Sequence, residues 1–332
     1  MTGRQMTSRE RVLAAIKGEA VDRPPLSIWQ HFPERDQTAA DLTTATMDWQ
    51  NQYGFDLVKF MPPGDYPTID WGLTSEYTGA LGGTRTATRL PINDPADWQS
   101  LKPIDVRQGF NGMVLDALAA TRKALDSNVP LLHTVFSPLT IAMKLSGGRA
   151  IEHLRAHPAE MFQALAVIRD VTKEMVAAAF NIGGDGLFFA TQCADHSLMD
   201  EVEYREFGIA YDLPVLEAAP AESITICHLH GETPMFHLAR RFPAQIINWH
   251  DRHAAPHLAE GHLQSGKSVA GGINERAISG YRPEEAASEA VDAVKVMQGR
   301  SLIVAPGCVV PINTPEANIR AVIRAVAPDL AT

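Results

Sequence analysis

The hydrophobic positions of the chain fall into short runs of strand length, separated by longer segments with helical periodicity. Near-continuous apolar strands that alternate with helices are typical of a parallel sheet covered on both faces. Eight strands are predicted, at residues 26–30, 56–61, 131–136, 186–191, 223–228, 245–250, 268–273 and 301–305. The helices predicted between them include residues 158–180, 201–218 and 283–298. Eight strands over 332 residues fit a closed (β/α)8 barrel of the TIM type better than an open doubly wound sheet.

One segment, residues 62–103, departs from this alternation. It is rich in Pro, Gly, Thr and Asp, which favours loops or a small hairpin after the second predicted strand. Long insertions in a barrel usually cover or line the active site. No repeat, low-complexity tract or linker divides the sequence, so residues 1–332 are predicted to form a single domain.

Composition and charge narrow the classes of partner. The chain is 45% hydrophobic and 20% charged, as is usual for a soluble globular protein. Its net charge is −10 and it has no basic run, so nucleic acid is not an expected partner. No stretch approaches the roughly 18 apolar residues of a membrane helix, and the N-terminal segment predicts an amphipathic helix instead of a secretory signal. Three widely spaced cysteines (Cys193, Cys227 and Cys308) indicate a reducing, cytoplasmic compartment.

Metal-capable side chains collect just after the predicted strands. His228 and His230 end the fifth strand, His250 and Asp251 end the sixth, and Cys308 follows the eighth. In a barrel these positions converge on one face, where the active sites of this fold lie. The convergence of residues so distant in sequence predicts an enzyme that acts on a small-molecule substrate.

The spacing of these residues suits zinc. His228 and His230 are two positions apart on a strand, so both imidazoles face the same side. The thiolate of Cys308 would be a third ligand, and three protein ligands leave one position open for substrate or water. His250 or Asp251 is predicted to be a fourth ligand or a partner of a ligand. The alternative is that the histidines are hydrogen-bonded structural residues, because an HxH pair alone is a weak indicator.

Acidic residues near the predicted mouth are candidates for proton transfer. Asp65, Asp70 and Asp195 belong to this group, although acidic residues on loops are more often solvated or cap a helix. Cys227 is adjacent to His228 and is expected to point to the opposite side, into the packing. Three further histidines are expected on the surface of the helix after the sixth strand: His253, His257 and His262.

Several motifs along the chain form a recognisable set. Residues 9–12 (RERV), 18–19 (GE) and 22–25 (DRPP) open it, and residues 305–311 (APGCVVP) and 314–318 (TPEAN) close it. This pattern resembles the uroporphyrinogen decarboxylase and corrinoid methyltransferase superfamily. The resemblance extends over essentially the whole chain and implies the same barrel. It includes two internal segments, residues 137–140 (SPLT) and 271–274 (GGIN).

The resemblance implies one of two chemistries. Uroporphyrinogen decarboxylases use no metal and hold the pyrrole nitrogens with an aspartate. The related methyltransferases carry zinc on a His-x-Cys pair and a distant Cys, and move a methyl group from a corrinoid protein to a thiol. His228 and Cys308 match methyltransferase ligands, while His230 stands where those enzymes have cysteine. The decarboxylases have an arginine-containing run after the first strand, and residues 28–35 (IWQHFPER) stand in its place here. Basic residues are also scarce at the strand ends. Both observations disfavour authentic uroporphyrinogen decarboxylation.

Three hypotheses follow. The first is a zinc-dependent methyltransferase-like enzyme in which His228, His230 and Cys308 bind zinc. The methyl donor would be a corrinoid on a separate partner protein, or another donor, and the acceptor would be of the thiol type. Histidine in place of cysteine lowers the negative charge on the metal, which makes it a stronger Lewis acid and a bound thiolate less nucleophilic. The second is a carboxy-lyase for a tetrapyrrole or a smaller acid, with Asp65 or Asp195 handling the proton, and the third is a tetrapyrrole or corrinoid binder without enzymatic activity.

Overall fold

A curled parallel sheet forms the centre of the computed structural model, which describes residues 5–330. Its seven strands follow the order β1-β4-β5-β6-β7-β8-β9, and β2 and β3 form a separate two-stranded sheet. Every residue of the seven strands is buried, as expected for strands that lie between a core and a layer of helices. The strands in chain order are β1 Val58–Phe60, β2 Thr74–Glu76, β3 Thr86–Arg89, β4 Leu131–Phe136, β5 Gly186–Thr191, β6 Ile224–Leu229, β7 Ile246–Trp249, β8 Ser268–Ile273 and β9 Leu302–Pro306.

The described helices connect and flank these strands. Local sequence fixes several of their ends: Thr7 and Glu10 form a capping box at α1, and Gly54 ends α2 with a φ of 65° that favours glycine. Among the described residues, no helix has the length and apolar character needed to cross a membrane. The helices are α1 Ser8–Ile16, α2 Ala39–Tyr53, α3 Tyr66–Ile69, α4 Gly109–Ala124, α5 Pro138–Leu145, α6 Ala150–Ala156, α7 Pro158–Asn181, α8 Glu201–Tyr204, α9 Ala210–Leu216, α10 Leu258–Ser265, α11 Pro283–Val296 and α12 Glu316–Val326.

The first predicted strand, residues 26–30, is wrong as a strand. Only Leu26 pairs with the sheet, through an isolated parallel bridge to Val304 of β9. Pro24 and Pro25 have no N–H group, so the ladder cannot extend towards the N-terminus. The backbone N–H of Asp56 donates to the carbonyl of Leu26 over 3.0 Å on the other side. The structure therefore confirms seven of the eight predicted strands, and the closed (β/α)8 barrel stays a prediction.

The helix predicted over residues 201–218 is interrupted. A π-helical turn at residues 205–209 separates α8 from α9, and Pro214 lies inside α9. The Tyr204 hydroxyl before this turn donates to Asp212 Oδ2 over 2.6 Å and lies 2.9 Å from Thr191 Oγ1 of β5. The extra residue in the turn therefore coincides with a buried hydrogen-bonded link between helix and sheet.

Residues 62–103 contain α3 and the antiparallel hairpin β2–β3. The Ile312 N–H, in the segment after β9, donates to the carbonyl of Leu81 over 2.8 Å. Arg85 Nη1 donates to the carbonyl of Pro33 over 3.0 Å. The hairpin therefore lies against the loops that follow the first predicted strand and β9.

Buried ion pairs hold the opposite, amino-terminal ends of the strands. Asp56, which precedes β1, is fully buried and accepts from Arg11 Nη1 at 2.6 Å and from Arg23 Nη1 at 2.5 Å. Its second oxygen also accepts from the N–H of Leu26 over 2.9 Å. This ion-pair network therefore lies at the end of the sheet opposite to the carboxyl ends of the strands.

Candidate metal centre

Four potential ligand atoms meet at the carboxyl ends of β6, β7 and β9. They belong to His228, His230, His250 and Cys308, and all lie within 4.8 Å of one another. His228 and His250 are buried, whereas His230 and Cys308 are partly exposed. The structure thus brings together the three predicted zinc ligands and His250, which sequence analysis placed either among the ligands or beside them.

The spacing of these atoms is close to that of a tetrahedral zinc site. The Nδ1 atom of His230 lies 3.1 Å from His250 Nε2, 3.4 Å from His228 Nε2 and 4.0 Å from Cys308 Sγ. Zinc–nitrogen bonds of about 2.0–2.1 Å at tetrahedral angles place neighbouring nitrogens about 3.3–3.4 Å apart. The three imidazoles therefore fit one zinc ion with little rearrangement, and the thiol requires a small inward shift.

Asn248 fixes the tautomer of His228. The two residues are paired across β6 and β7, and Asn248 Oδ1 lies 2.6 Å from His228 Nδ1. The amide nitrogen of Asn248 donates to the carbonyls of Ala270 at 2.8 Å and Pro306 at 3.1 Å, so its oxygen must face the histidine. His228 then carries its proton on Nδ1, and the lone pair of Nε2 points into the cluster.

Glu275 fixes the tautomer of His250. Its Oε1 atom lies 2.6 Å from His250 Nδ1, and both side chains are almost fully buried. A carboxylate at Nδ1 keeps the proton there and leaves Nε2 free to bind a metal. Two of the four candidate ligands are thus oriented by side chains behind them.

The protonation states also favour metal binding. Burial, together with repulsion from His230 and His250, lowers the pKa of His228 well below its usual value. Burial and the neighbouring His250 lower the pKa of His230 to about 4. These imidazoles are neutral near pH 7, which is the form that binds zinc. Burial raises the pKa of the Cys308 thiol, and the charge of Lys59 opposes that rise.

Two lysines that sequence analysis did not single out for the pocket lie in the interior beside the cluster. Lys59 of β1 has its Nζ atom 3.8 Å from the ring centroid of Phe188 and 5.2 Å from that of Trp29. Lys144 of α5 lies with its Nζ 4.8 Å from the ring centroid of Phe136. The expectation that basic residues are scarce concerned the strand ends, and it did not consider Lys59, which lies in the middle of a strand.

Asp195 and Asp251 are both tied to the backbone. Asp195 accepts from the N–H groups of Ser197 at 2.7 Å and Thr233 at 2.9 Å. Burial alone would raise the pKa of Asp195, but these hydrogen bonds lower it. Asp251 accepts from the N–H of Gly272 at 3.1 Å, and burial raises its pKa to about 7. Neither carboxylate belongs to the group of candidate metal ligands among the described residues.

Asp65 and Asp70 differ in their hydrogen-bond partners. The two carboxylate oxygens of Asp65 are buried and accept no hydrogen bond within residues 5–330. Asp65 acts electrostatically on Lys144, whose pKa burial lowers and this carboxylate raises. Asp70 instead accepts from the N–H groups of Phe110 at 2.8 Å and Asn111 at 2.9 Å, at the beginning of α4. Asp70 therefore occupies the helix-capping role that is common for acidic loop residues.

The surface placement expected for His253 is wrong. This histidine lies in the turn after β7, before α10, with its ring 4.9 Å from that of His250 and its Nε2 3.4 Å from Glu275 Oε1. His250, His253 and Glu275 form a second, overlapping group of potential ligands. Glu275 already accepts from His250, so we treat the second group as part of the same centre.

Buried histidines away from the cluster make stability depend on pH. Burial lowers the pKa of His133 in β4 to about 3, compared with about 6.5 in an unfolded chain. Below pH 6.5 the unfolded chain binds a proton that the folded chain excludes. The free energy of unfolding therefore decreases as the pH is lowered from about 6.5 to about 3. In metal-free protein, His133→Gln is expected to make the fall between pH 7.5 and pH 5 smaller by about 2 kcal/mol. Urea unfolding at both pH values measures this fall, and His257→Gln, at an exposed position, should leave it unchanged.

Comparisons with known proteins identify the family of this chain and agree with its α/β architecture. The chain belongs to the uroporphyrinogen decarboxylase family, because the family model described as uroporphyrinogen decarboxylase (URO-D) matches residues 7–328. Its relatives include the methylcobamide:CoM methyltransferase MtbA of Methanosarcina acetivorans, which is 19% identical over 245 residues, 69% of this chain and 71% of the relative. The uroporphyrinogen decarboxylase of Chlorobium luteolum is 30% identical over 139 residues, 40% of this chain and 39% of that protein.

Solved structures share the fold. A methyltransferase from Methanosarcina mazei superposes with a TM-score of 0.85 at 19% identity, over 97% of this chain and 98% of that one. A B12-independent methionine synthase from Shewanella reaches 0.57 at 14% identity, over 91% and 92% of the two chains. At these identities the likeness shows the architecture alone.

Proposed function

We propose that this chain is a zinc-dependent methyltransferase that moves a methyl group from a corrinoid, or another donor, to a thiol-type acceptor. The observation that carries the proposal is the convergence of three imidazoles and one thiol. Two of those imidazoles are held by Asn248 and Glu275 with their free nitrogens inward. The methyltransferase names among its relatives and neighbours support it.

In this proposal His228, His230 and Cys308 would hold the metal, and His250 would be a fourth ligand that the acceptor thiol could replace. Zinc in such a site lowers the pKa of a thiol and holds it as the nucleophilic thiolate. His250 is suited to leave, because Glu275 can keep its ring in place after release. Asp251 and Asp195 serve as positioning residues, through Gly272 and through the loop at Thr233.

We further propose that the chain forms one domain with a closed eight-stranded barrel, and that it works in the cytoplasm. Residues 25–27 support closure, because they hydrogen-bond to Val304 on one side while Asp56 bonds to Leu26 on the other. Three free cysteines suit a reducing compartment. The corrinoid would be carried by a separate partner protein that approaches the carboxyl ends of the strands.

Zinc X-ray absorption spectroscopy tests the exchange of His250. The expected result is one zinc per chain with three nitrogen ligands and one sulfur ligand, changing to two nitrogens and two sulfurs when a small thiol is added. In His250→Ala protein the site is expected to retain zinc and to accept the thiol directly. An unchanged set of three nitrogens and one sulfur at saturating thiol would mean that the site is closed, which would overturn the proposed mechanism. Transfer of a labelled methyl group from methylcobalamin to the thiol then tests the activity.

A carboxy-lyase remains the second candidate, because Asp65 presents a buried carboxylate without a hydrogen-bond partner among the described residues. Such a group near Lys144 could handle the proton of a decarboxylation. Release of carbon dioxide from an acid substrate by metal-free protein, lost in Asp65→Asn, would favour this candidate over methyl transfer.

A further inference from the structure

The amine of Lys59 is buried without a hydrogen-bond partner. The residue is 8% exposed, and among residues 5–330 it makes no hydrogen bond and has no carboxylate within 4.0 Å. Its Nζ atom lies 3.8 Å from the ring centroid of Phe188 and 5.2 Å from that of Trp29. These ring faces attract a cation but accept no conventional hydrogen bond. The proposed methyl transfer assigns no role to this amine.

Two buried arginines show what Lys59 lacks. Arg11 and Arg23 share the carboxylate of Asp56, at 2.6 Å and 2.5 Å. An ammonium ion that leaves water without such a partner is destabilised relative to the neutral amine. Burial accordingly lowers the pKa of Lys59 to about 7. The surroundings of Lys59 therefore favour an amine that keeps its lone pair.

Lys59 projects into the interior of the sheet on the side of the metal centre. It is paired with Leu132 of β4, and paired residues of neighbouring parallel strands point to the same side. The Phe188 ring beside its amine is stacked on His228, with 5.7 Å between the ring centroids. No hydrogen bond within the described part of the chain joins Lys59 to the group of candidate ligands. The amine thus shares a space with the metal centre without belonging to it.

These surroundings suit a covalent intermediate on nitrogen. A neutral lysine amine is a nucleophile for carbonyl carbon, whereas an ammonium ion has no lone pair to donate. The iminium ion that results carries one N–H group in place of the three of an ammonium ion, so it loses less from the lack of acceptors. The faces of Phe188 and Trp29 stabilise its positive charge.

We propose that Lys59 is a nucleophilic lysine that forms a Schiff base with a small aldehyde or ketone bearing an apolar substituent. The Nζ lone pair forms the C–N bond while the carbonyl π pair moves to oxygen, and a proton passes from nitrogen to oxygen. The resulting hydroxyl takes a proton from a buffer acid and leaves as water, and the nitrogen lone pair forms the C=N bond of the iminium. The apolar substituent packs against the two aromatic rings. This site goes beyond methyl transfer and does not depend on it.

Reductive trapping tests the site, with 2-butanone as the carbonyl probe and sodium cyanoborohydride as the reductant. Trypsin does not cleave after an alkylated lysine, so trapping at Lys59 joins residues 36–59 and 60–85 in one peptide. At pH 7 an exposed lysine with a pKa of about 10.4 has less than about 0.1% neutral amine. Lys59 is therefore expected to be alkylated about 10- to 100-fold faster than the exposed Lys123, in metal-free and in zinc-loaded protein.

The dependence of the rate on pH separates a perturbed amine from an ordinary one. Alkylation of Lys59 should level off above about pH 8, while alkylation of Lys123 should keep rising towards pH 10. Lys59→Met is expected to abolish the fast reaction, and Lys59→Arg, which keeps a base but cannot form an imine, should do the same. The control Lys123→Met should leave it intact. Circular dichroism checks that each variant is folded.

The outcomes separate this inference from the proposed function. Alkylation of Lys59 no faster than that of Lys123, or a fast reaction that survives Lys59→Met, overturns the Schiff-base site and leaves zinc binding and methyl transfer unaffected. Fast trapping at Lys59 in protein that binds no zinc supports the Schiff-base site and counts against the methyltransferase proposal alone.

Discussion

Replacing His230 with alanine, or Cys308 with serine, is expected to remove zinc from the purified protein and to abolish methyl transfer. His230 Nδ1 lies 3.1 Å from His250 Nε2 and 3.4 Å from His228 Nε2, and Cys308 supplies the one thiol of the group, so either change removes one of the proposed ligands. Zinc affinity should fall by more than the roughly 10- to 100-fold that follows loss of a partner behind a ligand. Inductively coupled plasma mass spectrometry of dialysed protein measures the zinc content directly.

The matched controls are His257→Ala and Cys193→Ser. His257 is exposed at the beginning of α10, and Cys193 is buried outside the group of ligand atoms. Both variants should retain about one zinc per chain. Full zinc content in His230→Ala or Cys308→Ser would contradict the assignment of that residue as a ligand.

Replacing Asp56 with alanine is expected to lower the free energy of unfolding by about 3–5 kcal/mol. The change leaves the buried guanidinium groups of Arg11 and Arg23 without their shared carboxylate, and Leu26 loses an acceptor for its N–H. Arg11 retains Asp22 and Arg23 retains Asp329, so the cost comes mainly from losing the fully buried carboxylate that lies between the two guanidinium groups. Chemical denaturation followed by circular dichroism measures it.

Asp48→Ala provides the comparison, because Asp48 pairs with Arg35 on the surface, where the two side chains are 59% and 45% exposed. Its loss should cost no more than about 1 kcal/mol, as is usual for an exposed ion pair. Similar effects for the two variants would show that the Asp56 network does not hold the strands together.

The seven confirmed strands were predictable because burial on both faces requires apolar residues at consecutive positions. β4, β5 and β8 begin and end at the predicted residues, since polar residues, Gly or Pro bound each of these runs. The segment at residues 26–30 has the same apolar character, but its pairing is limited by the prolines before it. Apolar character alone does not distinguish a strand from a buried extended segment.

The ligand set was predictable in part for a similar reason. His228 and Cys308 follow apolar runs directly, and a barrel brings such positions together. Asn248 and Glu275 were missed, because an amide or a carboxylate inside or after a strand carries no signal until its histidine partner is known. Lys59 did carry a signal, since a lysine within the apolar run at residues 56–61 must be buried or must disturb the strand.

Asn248 has a consequence for how this scaffold can diversify. Its side chain connects His228 to the backbone carbonyls of β8 and β9. The register of the sheet therefore determines the orientation of the His228 ring. The hairpin β2–β3 makes no hydrogen bond to His228 or Asn248 among those found in residues 5–330. Mutations there can accumulate and alter which molecules are admitted while the coordination frame stays constant. Selectivity and metal geometry can therefore evolve as separate modules within a single chain.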